Sequence, residues 1–343
     1  KLTITTSRGK AAPRSTSIVP EMAGFGTNFI LAGRTPVKLT TNAASGAGSL
    51  VDVLSASERI IIPETSGTID VGELSVVPTH WSLHGQFAPS PGIIIKDAFA
   101  PIHGANIFIE HISFLNGSNS VNDAFRIGIL PSPLTNPRVS NQSTKIVIKN
   151  CWFAYSIDEC FDIWGNLNGE FHLKDCIFGP GANTIGKQYG ALFGGPEEIG
   201  SEFSVSMDGC LFIHNSERNP LMKCSNFTLN NCIIYNREIH GAYLSSREPL
   251  NTCNANVINC LFIDGPATTT SNKPIYLDPT TWVAGSKLYV SGNAWESNTV
   301  NNQWADMVEV NGVVNAQSLT PINLPDGLSA IATDQLEAYI LAN

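Results

Sequence analysis

The chain has 343 residues, 43% hydrophobic and 14% charged, with 29 Gly and 20 Pro. So low a charge fraction beside a near-average apolar share excludes a disordered chain, and no apolar run reaches the roughly 18 residues of a membrane helix. The net charge of −9 argues against a nucleic-acid partner, and any polyanionic substrate would need a local basic patch or a metal.

The chain opens Lys1-Leu2-Thr3, without Met or an apolar leader, which fits a processed or trimmed secreted protein and equally a sequence cut at that point. Up to about residue 50 it is rich in Gly, Ala and Thr, which suits a cap over an open core. A short helix is expected over Gly48–Leu54, followed by strands at Ile60–Pro63, Gly67–Val71 and Trp81–Leu83. From there a pattern repeats. Five cysteines lie in near-identical contexts: Asn150-Cys151-Trp152-Phe153, Asp175-Cys176-Ile177-Phe178, Gly209-Cys210-Leu211-Phe212, Asn231-Cys232-Ile233-Ile234 and Asn259-Cys260-Leu261-Phe262. His111-Ile112-Ser113-Phe114 is the same unit with Ile for Cys, and successive units are 39, 25, 34, 22 and 28 residues apart.

A unit this short cannot bury its own apolar face, so neighbours must stack. Parallel strands wound about one axis achieve that at about 4.8 Å per rung. The fold expected is all-β: a right-handed, single-stranded parallel β-helix in one domain over residues 1–343. The cap covers residues 1–55, the coils about 56–310, and an extension 311–343 carries a helix over Thr333–Leu341. The ladder cysteines should face inward as small hydrophobes with reduced thiols. Cys160, Cys224 and Cys253 lie off the ladder and are the better candidates for any disulfide. Zinc spacing is absent.

Counting forward from each ladder residue brings charged side chains to one face. Asp123 is 11 after Ile112, Asp158 and Asp162 are 7 and 11 after Cys151, and Lys187 is 11 after Cys176. Arg218 and His240 are each 8 after their ladder cysteines. Carboxylates would thus occupy adjacent rungs with cations one to three rungs beyond, Arg218 about 14 Å from Asp123. Three carboxylates without a nearby cation would repel unless something divalent held them, and oxygen-only ligands suit Ca2+. Solvated turn aspartates are the plainer reading of the same spacing, and Glu159 between them either assists or points away.

Several segments resemble the pectate lyases of the first polysaccharide-lyase family, closest to a bacterial branch of pectate trisaccharide-lyases. Gly85-Gln86-Phe87-Ala88-Pro89-Ser90-Pro91-Gly92-Ile93 is similar to one of its motifs. Asp123-Ala124-Phe125 and Asp158-(x)3-Asp162-Ile163 resemble its calcium-ligand segments, and Arg218-Asn219-Pro220 its catalytic-arginine element. There are departures: Lys149-Asn150 replaces an Asp-His pair, Lys187-Gln188-Tyr189-Gly190 stands where many relatives have His-x-Tyr-Gly or a lysine nearer the leucine, and Lys223 replaces a second arginine. Lysine there loses the bidentate fork on a carboxylate.

The resemblance implies a secreted, monomeric, calcium-dependent lyase that cleaves polygalacturonate by β-elimination. Asp123, Asp158 and Asp162 would hold Ca2+, which withdraws charge from the uronate carboxylate. Arg218 would take the C5 proton, with Lys187 as the other catalytic candidate and cations nearby lowering the arginine's proton affinity. Lys223, Arg126, Arg237 and His240 would contact substrate. Two other readings stay open: a β-helical hydrolase using a carboxylate pair, and a non-catalytic carbohydrate-binding β-helix.

Overall fold

The structure is a computed structural model. It describes residues 24–25, 33–72, 74, 76, 78–96, 99–102, 105–116, 123–128, 144–164, 168–182, 188–194, 202–246, 252–269, 272–296 and 298–343. Among these, parallel strands form sheets of ten, nine and eight members, each strand pairing with its equivalent one coil away. Sheet 1 runs from Thr35–Leu39 to Lys287–Ser291, sheet 2 from Gly67–Asp70 to Ala294–Trp295, and sheet 3 from Phe99–Ile102 to Val308–Glu309. This is the expected parallel β-helix.

Side chains stack like on like. In sheet 2 the register aligns Phe114, Phe153, Phe178 and Phe212 in one inward column. Their rings lie nearly parallel, with centroids 5.2, 5.4 and 4.8 Å apart. Phe125 and Phe161 form a second stack from sheet 3, 5.4 Å apart, edge-on to the first. Spacings of this size gain aromatic contact beyond area burial.

The corner between sheets 1 and 2 explains the repeat. The residue before each ladder position has positive φ: 55° at His111, 51° at Asn150, 53° at Asp175, 68° at Gly209, 52° at Asn231 and 54° at Asn259. Left-handed backbone favours Asn, Asp and Gly, hence the recurring residue types. Each corner N–H donates to a carbonyl one coil on, as from Asn150 to Lys174 at 3.0 Å and from Asn231 to Ile258 at 3.2 Å. The following cysteine turns inward, and its thiol donates to the carbonyl two residues back, at 3.3 Å for Cys151 and 3.1 Å for Cys232. All eight cysteines are buried and free, Cys160, Cys224 and Cys253 included. Burial pushes the Cys151 thiol up to about 12, which keeps it protonated.

The ends hold two short helices expected from sequence. Leu50–Val53 is capped by Ser49, whose hydroxyl accepts from the Asp52 N–H. Leu336–Ala342 begins one 3-10 turn later than the sequence suggested, after Thr333–Gln335. A further helix, Gln303–Met307, was not expected. The C-terminal segment runs back along the outside of the coils. Asn256 donates to the Ile322 carbonyl, Asn230 and Asn231 to that of Ser329, and Tyr339 to Asp175, while Asn150 donates to the Asn343 carbonyl. No helix among the described residues is long and apolar enough to cross a membrane.

Two outcomes follow from this packing. Phe153→Ala, which opens the centre of both ring stacks, should cost about 3–5 kcal/mol in urea unfolding. His172 is fully buried, with Nδ1 2.8 Å from the Ser206 hydroxyl, and burial lowers its pKa to about 4. The unfolded chain takes up that proton near pH 6.5. Stability should therefore fall as pH drops from 6.5 towards 4, by about 3 kcal/mol from this group. His172→Gln should flatten that part of the profile, read as unfolding midpoints at pH 7 and 4.5.

Candidate active site

Sheet 3 carries the charged side chains on its outer face. Its register places Arg126 beside Asp162, then Leu192, Leu221, Tyr243, Tyr276 and Glu309 on successive coils. Sequence counting had put Asp123 beside Asp162; the actual neighbour is Arg126, three residues on. Asp123 and Asp162 are 2% and 1% exposed. Asp123 Oδ1 accepts the Glu159 backbone N–H at 3.0 Å. Asp123 Oδ2 lies 2.5 Å from Arg126 Nη2, and Arg126 Nε donates to Asp162 Oδ2 at 2.8 Å.

Burial first, and then the neighbouring Asp158, push Asp123 up to about 6 against the pull of Arg126. Burial and Asp123 likewise raise Asp162 well above the carboxylate range. Desolvated carboxylates that crowd one another need a positive partner. Burial works against the charge of Arg126, but the two carboxylates outweigh it and raise its pKa. Sequence counting placed no cation among these carboxylates; Arg126, expected as a substrate contact, stands between them as their positive partner.

One oxygen each from Asp123, Asp158 and Glu159 lie within 4.8 Å of one another, close enough to share a metal ion. Asp162, expected as the third ligand, is outside this group and tied to Arg126. Among the described residues Asp162 Oδ1 is buried without a hydrogen bond, while Asp123 Oδ2 has Arg126 as its partner. An unpartnered buried oxygen beside converging carboxylates fits a hard divalent cation. Glu159 therefore belongs to the cluster. Its place between Asp158 and Asp162 was the available signal, and the sequence leaves open whether it assists or points away.

Arg218 stands two coils further along. It occupies the left-handed region, φ 60°, and its guanidinium lies 3.8 Å from the centre of the Tyr189 ring. From there it reaches back to pair with Glu159 Oε1, and its Nε is 3.8 Å from Glu217. Gly190 makes this possible: a Cβ there would stand 2.5 Å from the Arg218 carbonyl. Tyr189 was missed as a site residue, since nothing in its sequence context distinguishes a stacking platform from wall packing.

Lys223 is half-buried beside Gly194 and close enough to Glu217 to draw its pKa down, though burial and Glu238 leave that carboxyl raised. Lys187 lies outside the described residues. His240 stacks on Tyr276, 4.2 Å between centroids, with Tyr243 edge-on at 5.4 Å. Burial and Arg237 lower its pKa to about 4, so the ring is neutral. Arg237 is 1% exposed and donates to the carbonyls of Ile239 and Asn272 at 2.6 and 2.9 Å. Its guanidinium, expected as a substrate contact, is held by these carbonyls within the wall. Removing the Glu159 charge should expose its coupling to Arg218: Glu159→Gln should cost about 1–3 kcal/mol. In an Arg218→Met background most of that loss should disappear, as a urea double-mutant cycle would read.

No family model matches the sequence. It is 28% identical over 253 residues to the probable pectate lyase C of Neosartorya fischeri and of Aspergillus fumigatus, which covers 73% of this chain and 54% of theirs. The chain thus spans about half the length of these curated relatives. Among solved structures, a pectate lyase from Bacillus sp. N165 in complex with trigalacturonate gives a TM-score of 0.57 at 13% identity, over 94% of this chain and 97% of that one. The cedar-pollen allergen jun a 1 gives 0.53 at 12%, over 93% and 91%. In sequence over nearly three quarters of its length, and in fold over nearly all of it, the chain is similar to the pectate lyases.

Proposed function

We propose that this protein is a secreted, monomeric lyase that cleaves polygalacturonate by β-elimination at the outer face of sheet 3. One observation carries the reading: an arginine on its own coil reaches across an aromatic ring to a cluster of buried carboxylates. Similarity to proteins named pectate lyase supports the same class.

The C5 proton of a uronate is acidified only weakly by the adjacent carboxylate. Arg218 takes that proton after giving its own to water, and the Glu159 carboxylate in contact with it holds the guanidinium in place. The C5–H electron pair becomes the C4–C5 double bond as the C4–O bond breaks, and the departing oxygen takes a proton from water. Lys223, and Lys187 by its place in the sequence, would hold substrate carboxylates as point charges. The neutral His240 with Tyr276 and Tyr243 offers a flat face on which a sugar ring can lie. A divalent cation, Ca2+ by its preference for oxygen, would be held by Asp123, Asp158 and Glu159 and would supply charge withdrawal from the substrate carboxylate.

The test is ultraviolet absorbance during incubation with polygalacturonate, with added Ca2+ or with EDTA. An absorbance rise that EDTA suppresses is expected, and Arg218→Lys should lose at least 100-fold in turnover with binding retained. New reducing ends without absorbance would mean hydrolysis instead.

A further inference from the structure

Both oxygens of Asp123 already have a partner. Its Oδ1 accepts the Glu159 N–H at 3.0 Å, which leaves Oδ2, with no backbone donor, as the oxygen to offer a cation shared with Asp158 and Glu159. That same oxygen lies 2.5 Å from Arg126 Nη2. Ca2+ bonds to oxygen at 2.3–2.6 Å, so a metal on this buried carboxylate would stand beside the guanidinium, and the two charges repel. We propose that Arg126 is the resident counter-ion of the acid cluster and that a divalent cation binds only by displacing it.

The register makes Arg126 a fixture of this site rather than a passing contact. It is the coil neighbour of Asp162 in sheet 3 and spans Asp162 and Asp123 with two nitrogens. It also has a way out, since its side chain is 22% exposed while both carboxylates are nearly closed off. A long arginine side chain can lie along the wall with its head in water. Its departure releases Asp162 Oδ2, next to an Oδ1 that already lacks a hydrogen bond among the described residues. The displaced state would therefore add a fourth carboxylate to the three that converge. Two occupants of one site lower the apparent affinity of each by the fraction of sites open to it. Arginine in place would make the cluster a weak metal site that fills only at high cation concentration.

This inference rests on the acid cluster being a cation site, as the proposed function holds, but not on the lyase reaction. Calorimetric titration with CaCl2 of the EDTA-treated, dialysed protein tests it without substrate. Arg126→Met should bind Ca2+ at least tenfold more tightly than the wild type. Arg126→Lys, too short to span both carboxylates, should fall between them. Circular dichroism verifies the fold of each; if Arg126→Met does not fold, Arg126→Lys decides alone. Equal or weaker binding by the folded variants overturns the competition, and no binding by any form overturns the cation site itself. Either result leaves the absorbance assay free to succeed or fail separately.

Discussion

The corner between sheets 1 and 2 reverses the chain through one residue of left-handed backbone, whose N–H reaches a carbonyl of the next coil. Everything downstream of that corner depends on it. Because the corner repeats with the same geometry, the cysteine after it enters the interior at the same height on each coil, and the phenylalanine two residues on falls above its predecessor. Axial stacking then extends the corner's regularity through the core. The loops that leave the sheets carry no such obligation, and the spacing between ladder residues varies accordingly.

The same regularity sets the electrostatics of the outer wall. A flat parallel sheet presents successive coils about 4.8 Å apart, so charged residues in one column must be neighbours. Asp123 and Asp162 are sunk into that wall and closed off from water. Carboxylates in such a place keep their charge only beside a cation. The wall itself supplies Arg126, and Arg218, two coils beyond Glu159, is anchored by it. Acidic and basic side chains therefore pair with one another on this face rather than segregating into an acidic end and a basic end.

The repeat was legible because the left-handed corner restricts residue type and the inward position restricts size, so Asn-Cys or Asp-Cys recurs despite uneven loops. The β-helix and the inward cysteines followed from it, while the terminal helices showed in their own local patterns. The site was legible as a set of residues and not as an arrangement. Counting from Ile112 and Cys151 assumed equal paths to sheet 3, and the actual register pairs Asp162 with Arg126. Glu159 is adjacent to Asp158, and both reach one cluster with Asp123, which strand alternation does not foresee. Arg237 looked like surface charge because a buried arginine held by carbonyls leaves no mark in local sequence.

The C-terminal segment touches corner residues from the coil of Asn256 back to that of Asn150. A stack of coils that meet only their neighbours can unravel one rung at a time from an open end. A strap laid antiparallel to the stack changes the graph of contacts, since it joins rungs that share no strand pairing. Peeling the last coils would also strip Ser329 from Asn230 and Asn231, and Tyr339 from Asp175. Fraying at one end is thereby charged to the middle of the cylinder, and a quasi-one-dimensional array acquires the cooperativity of a closed one.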